Sequence, residues 1–124
     1  MFKISLNGNL PIYEQLIEKI EEMVLLGVLE PDTALPSVRD FASELAINPN
    51  TVQKAFSELD KRGVTYSVSG KGRFVTSNVS NLLKQKSDKH IEDMLFSAKE
   101  LISLGIDKSI LIHEIEKLYK EGNK

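Results

Sequence analysis

Apolar side chains recur every three or four positions over residues 11–26, PIYEQLIEKIEEMVLL. There Ile12, Leu16, Ile20 and Met23 or Val24 are separated by Glu14, Glu18, Lys19, Glu21 and Glu22. One apolar stripe at a 3.6-residue repeat predicts an amphipathic first helix. Pro11 suits its first position and Gly27 its end, and the following VLEPDTALP has the turn-forming character of a connector. A second, short helix is predicted from Ser37, because Ser37-Val38-Arg39-Asp40 resembles a capping box with Asp in place of Glu. Val38, Phe41, Ala42 and Leu45 form its buried stripe.

The stretch INPNTVQKAFSELDKRG, residues 47–63, then predicts a third helix. Asn48 can cap it, and Pro49 fills a first position where a missing N–H costs nothing. Val52, Ala55, Phe56 and Leu59 keep the helical period down to Gly63. Only Ala46-Ile47-Asn48 separates the second and third helices, the spacing of a helix-turn-helix. Past Gly63 the period drops to two: Val64, Tyr66 and Val68 alternate with Thr65, Ser67 and Ser69, SGKG turns the chain, and RFVT returns it. A helix-turn-helix followed by a two-stranded hairpin is the winged-helix arrangement, with Gly70 and Gly72 permitting positive φ at the wing tip.

SNVSN, residues 77–81, reads as a polar linker. Beyond it Ile91, Met94, Leu95, Ala98, Leu101 and Ile102 follow helical spacing to Gly105, and Asp107 can cap a last helix bearing Leu111, Ile112, Ile115, Leu118 and Tyr119. Two such helices are too small to enclose a core, so their apolar sides must meet the winged helix or another chain. The expected architecture is mainly α with a small β-hairpin: a winged helix-turn-helix over residues 1–77 and a two-helix tail over 78–124.

At 124 residues and 41% hydrophobic, the chain suits one compact domain with an appendage. No apolar run approaches the ~20 residues of a membrane span, and the start lacks the pattern of a secretion signal, so no membrane partner and a cytoplasmic location are expected. Zero cysteines exclude disulfides and thiolate metal sites, and His90 and His113 are the only imidazoles, each more readily a surface or packing side chain than a ligand. Neither a metal nor a cofactor is expected. The net charge of −2 hides an uneven distribution. Residues 1–35 carry two Lys/Arg against six Asp/Glu, residues 36–77 six against four, and residues 78–124 eight against eight. The middle segment is the basic one, which matters more than the total for a polyanion-binding face.

With Val52, Ala55, Phe56 and Leu59 inward, the outward side of the third helix carries Asn50, Thr51, Gln53, Lys54 and Ser57. Asn and Gln can bond adenine edges in pairs, Thr offers a methyl and a hydroxyl, and a helix N-terminus attracts phosphate. The competing explanation is that Asn48, Asn50 and Thr51 only satisfy helix-end N–H groups. Arg39 can reach a guanine edge or a phosphate, or else pair with Asp40 or an acid of the first helix. Lys71 and Arg73 flank the wing turn, where a lysine can reach a minor groove or the DNA backbone, or lie idle on an exposed turn.

PIYEQ, LPSVRD, INPNTVQKAFSEL and GKGRFV stand in the order and spacing of the DNA-binding domain of GntR-family bacterial transcription regulators, a resemblance covering roughly residues 10–76. The brief C-terminal part and NPNTV look like the YtrA subfamily, small repressors with a two-helix dimerisation tail that often control ABC transporter operons. The resemblance implies DNA contacts from Arg39, Asn50, Thr51, Gln53, Lys54, the Gly70–Gly72 turn and Lys71, and Arg73, flanking the same turn, is expected to join them. Where many relatives carry arginine this chain has Pro49 and Gln53, which shifts expected base readout toward Arg39, Asn50 and Thr51. The segment after 77 is too short for a ligand pocket of about 300 Å³ or more, and no particular small-molecule effector is implied.

The combined expectation is a homodimer on palindromic double-stranded DNA, repressing a small operon. Leu95, Leu101, Ile102, Leu111, Ile115 and Leu118 would form the dimer interface. The rival is a winged-helix adaptor that binds protein rather than specific DNA. An enzyme is disfavoured: no nucleophile–base pair or paired carboxylates occur, and GKG is far too short for a phosphate loop.

Overall fold

The computed structural model describes residues 4–122. The elements run α1 (Ile12–Leu25), α2 (Val38–Leu45), α3 (Pro49–Lys61), β1 (Thr65–Val68), β2 (Gly72–Val75), α4 (Val79–Ser103) and α5 (Lys108–Gly122). They form two compact units that divide between Leu83 and Lys84.

In the first unit α1 buries Leu16, Ile17, Ile20 and Val24; Ile17 joins the stripe read from the sequence, and Ile12, at the exposed first turn, falls outside it. Pro11 sits one residue earlier than expected, at the N-cap, and Gln15 N–H donates to its carbonyl at 3.1 Å. Helix α2 starts as expected: Ser37 Oγ accepts from Asp40 N–H at 3.1 Å, although the reciprocal half of the capping box is not made. It stops because Ala46 turns left-handed, at φ 55° and ψ 47°, which lets Ile47 N–H reach back to Ala42 O at 3.0 Å. That reversal leads directly into Asn48, the cap of α3. The two helices meet through Phe41 and Phe56, edge to face at 5.2 Å between ring centres. Val52, Ala55, Phe56 and Leu59 of α3 are completely buried at the centre of the core.

Strands β1 and β2 pair antiparallel with Thr65 opposite Val75, Tyr66 opposite Phe74, Ser67 opposite Arg73 and Val68 opposite Gly72. Lys71 N–H donates to Val68 O at 3.0 Å, closing the turn at Gly70, whose φ of 76° a side chain would strain. The connector does more than link helices. Leu35 N–H donates to Arg73 O and Val75 N–H to Thr33 O, both at 2.9 Å, and Ala34 bridges Phe74. Strand β2 is therefore flanked on both edges, by β1 and by residues 33–35, and the hairpin root is tied into the helical core.

Residues 79–81 of the expected linker instead open α4, with Ser77 and Asn78 just before it. Its first turn joins the winged core, because Leu82 is buried there and Val79 packs beside it. For that reason the first unit extends to Leu83, whereas the sequence suggested a boundary at 77. In the second unit α4 ends at Ser103, Gly105 takes a φ of 85°, and Asp107 Oδ2 accepts from Ser109 N–H at 3.1 Å to cap α5. Helix α5 buries no residue.

Candidate nucleic-acid interface

The buried stripe of α3 fixes what its other side presents. Asn50, Gln53, Lys54 and Ser57 fall at i, i+3, i+4 and i+7, a single row opposite Val52, Ala55, Phe56 and Leu59. Asn50, Gln53 and Lys54 are exposed, and Thr51 and Ser57 half-buried. Gln53 Nε2 donates to Ser57 Oγ at 3.2 Å, which lays the amide along the row. The side chains of Asn50, Thr51 and Lys54 have no partner among the described residues, so they remain available to a ligand.

The start of α3 separates the two explanations of its polar first turn. Asn48 is the structural member: its Oδ1 accepts from Asn50 N–H at 2.8 Å and its carbonyl from Thr51 N–H at 3.0 Å. Pro49 has no N–H to offer. The backbone donors expected to meet a phosphate here are thus already engaged, while the side chains of Asn50 and Thr51 play no part in the cap.

Arg39 is exposed near the start of α2 and has no partner among the described residues, so neither Asp40 nor an α1 acid holds it. Ser37 and Val38 just before it line one shallow groove with Ser67, Ser69, Gly70, Lys71 and Gly72, a space of about 460 Å³. The beginning of α2 therefore lies beside the wing tip. Lys71, at that tip, is also exposed and unpartnered among the described residues.

Arg73 is placed differently from expectation. Its Nε and Nη2 donate to the two carboxylate oxygens of Asp60, each at 3.0 Å, and its guanidinium lies 5.1 Å from the centre of the Phe56 ring. Its side chain is only 17% exposed, so it is committed to the interior side of the wing rather than to a ligand. Asp60 also accepts from Thr65 Oγ1 and Ser67 Oγ. Burial pushes the Asp60 carboxyl up, but the hydrogen bonds from Arg73, Thr65 and Ser67 outweigh it and hold its pKa below the ordinary value. Arg62 is likewise taken, by Glu58 and by the buried Glu21 of α1, each at 3.2 Å. The Glu58–Arg62 pair has the i,i+4 spacing that a helical pattern can show, but Glu21 lies 41 residues from Arg62 and Asp60 lies 13 residues from Arg73, too far along the chain for such a pattern.

The six apolar residues assigned to a dimer interface all lie in the second unit. Leu95, Leu101, Ile102, Ile115 and Leu118 are exposed, Leu118 by 66%, and Leu111 is half-buried. Helices α4 and α5 do not cover one another's stripes. Among the described residues no helix is long and apolar enough to cross a membrane, and no three His, Asp or Glu side chains gather in a way that could hold a metal.

Residues 12–75 match the family described as bacterial regulatory proteins, gntR family. Over 120 residues the chain is 36% identical to the HTH-type transcriptional repressor YtrA of Bacillus subtilis (strain 168), covering 97% of this chain and 88% of that one. A transcriptional regulator from Oenococcus oeni has a similar structure, with a TM-score of 0.74 and 31% identity over 94% of this chain and 97% of its own. AraR(DBD), solved in complex with an operator, matches 61% of this chain and 95% of its own at 31% identity and a TM-score of 0.52.

Proposed function

This chain belongs to the GntR family of bacterial regulatory proteins, and from that premise we propose that it is a homodimeric repressor reading a two-fold symmetric operator. The exposed row of α3 enters the major groove. Asn50 bonds an adenine edge, Thr51 contacts a neighbouring base, and Arg39 reaches a guanine. Lys54 and Lys71 meet phosphates, and Gly70 and Gly72 let the wing backbone approach the duplex. The open stripes of α4 and α5 pair with those of a second copy, which sets two α3 helices about one DNA turn, ~34 Å, apart.

The observation that carries this reading is the division among the basic side chains of residues 36–77. Arg62 and Arg73 are held in ion pairs, whereas Arg39, Lys54, Lys61 and Lys71 are exposed with no partner among the described residues, and of these Arg39, Lys54 and Lys71 lie on α2, on the outward row of α3 and at the wing tip. Those three are the cations that the proposal places against DNA, and no carboxylate among the described residues of the winged unit takes them.

Selection from random duplexes, followed by anisotropy across a salt series, tests the proposal. The expected result is one palindrome preferred over random duplex by roughly 10³-fold at physiological salt, with affinity falling steeply as salt rises. Arg39→Ala and Asn50→Ala should each relax choice at defined operator positions by about 1–3 kcal/mol. A flat salt response with no selected site would overturn the proposal in favour of a protein-binding adaptor.

A further inference from the structure

The wing is held in two different ways along its length. At its root Val64 and Val75 are completely buried, so packing fixes it there. From Ser67 through Gly72 every residue is exposed, and packing cannot set the direction of the tip. What spans the gap is a polar clamp. Asp60, in the last turn of α3, accepts from Thr65 and Ser67 on β1 and from both Nε and Nη2 of Arg73 on β2. Ser67 and Arg73 are register partners, so one carboxylate grips both strands at a single rung, two residues from Lys71. The Phe56 ring supports the face of the same guanidinium, which leaves the fork little freedom to swing.

We infer that Asp60 and Arg73 are positioning residues for DNA binding: their two-pronged pair ties the aim of the wing to α3, so that Lys71 meets the phosphate backbone when the α3 row is seated in the groove. The inference rests on the reading that Lys71 touches DNA. It also gives Arg73 a role that lysine could not fill, since a single ammonium cannot span both carboxylate oxygens in plane.

The test is a double-mutant cycle on the full chain, read by anisotropy on a random-sequence duplex and on a selected duplex across a salt series. The proteins are wild type, Lys71→Ala, Asp60→Asn, Arg73→Lys, and each clamp variant combined with Lys71→Ala, with folding followed by thermal melting. Each clamp variant should weaken both duplexes alike, by about threefold to tenfold, and lower the salt slope by about one. In the Lys71→Ala background neither should cause a further loss. Arg73→Lys keeps the charge and most of the packing, so it carries the test if Asp60→Asn melts below the assay temperature. Clamp variants that lose affinity equally with and without Lys71 would overturn the inference and leave the wing contact standing. A silent Lys71→Ala would overturn the wing contact and the inference together.

Discussion

Residues 4–83 and residues 84–122 are both built from amphipathic helices, yet only the first set encloses anything. Every core side chain lies between Leu16 and Leu82, where α1, α2, α3, the hairpin root and the first turn of α4 supply facing surfaces. In the second unit the same kind of periodicity leaves Leu95 52% and Leu118 66% exposed, and α5 buries nothing. An apolar stripe is thus a demand for a partner and not a guarantee of one. In the winged unit the partner lies in the same unit. In the tail those side chains are left open to solvent, which is what supports the proposal that a second copy covers them.

The largest effect should come from cutting into the enclosed core. Phe56→Ala removes a completely buried ring that Phe41 packs against and Arg73 covers, and should cost about 3–5 kcal/mol of winged-unit stability in urea unfolding. Leu118→Ala should leave that transition in place and appear only as weaker self-association. Equal losses from the two substitutions would erase the distinction between the units.

Removing the tail after Leu83 should change assembly without changing the winged fold. The truncated chain keeps Leu82 in its core, sediments as a monomer, and loses affinity for a palindromic duplex by about 10²-fold or more, because the second half-site no longer binds at high effective concentration. A full-length chain that sediments as a monomer and still binds tightly would break this side of the comparison.

A smaller effect separates polar from apolar support inside the winged unit. The Asp60 carboxyl has its pKa lowered in the folded state, so its contribution is complete above the ordinary value of 3.8 and is lost as pH falls through the depressed value. Melting of the truncated chain should therefore be insensitive to Asp60 titration near neutrality and should fall below about pH 4. Asp60→Asn should cost about 1–3 kcal/mol at pH 7 and remove that part of the acid dependence. An unchanged acid profile in the variant would mean that other carboxylates carry it.

The smallest expected effect concerns the turn between α2 and α3. Ala46 holds a left-handed conformation that costs an L-residue roughly 1–2 kcal/mol, and glycine returns part of that gain as chain entropy. Ala46→Gly should stabilise the winged unit by less than about 1 kcal/mol, as a small upward shift in melting temperature, and leave the tail's self-association unaltered.

Much of this molecule is legible in its sequence because much of it is local. The Ser37 and Asn48 caps, Pro49 at the first position of α3, the reversals at Gly70 and Gly105, and the buried stripe of α3 each depend on residues within about one helical turn or one hairpin turn. Motif order and spacing then carried the family, and the outward row of Asn50, Gln53, Lys54 and Ser57 follows once the inward one is known. What only the tertiary structure decided lies at longer range. Arg73 has the composition and position of a ligand-facing residue, and it turns inward because Asp60, thirteen residues away, and the Phe56 ring meet it there. Residues 33–35 look like a loop and serve as an edge on β2, since backbone pairing leaves no side-chain pattern. SNVSN is polar enough to pass for a linker, yet Val79 and Leu82 find an apolar surface made by distant elements. Periodicity records which side of an element avoids water, but only the assembled fold determines whether something else arrives to cover it.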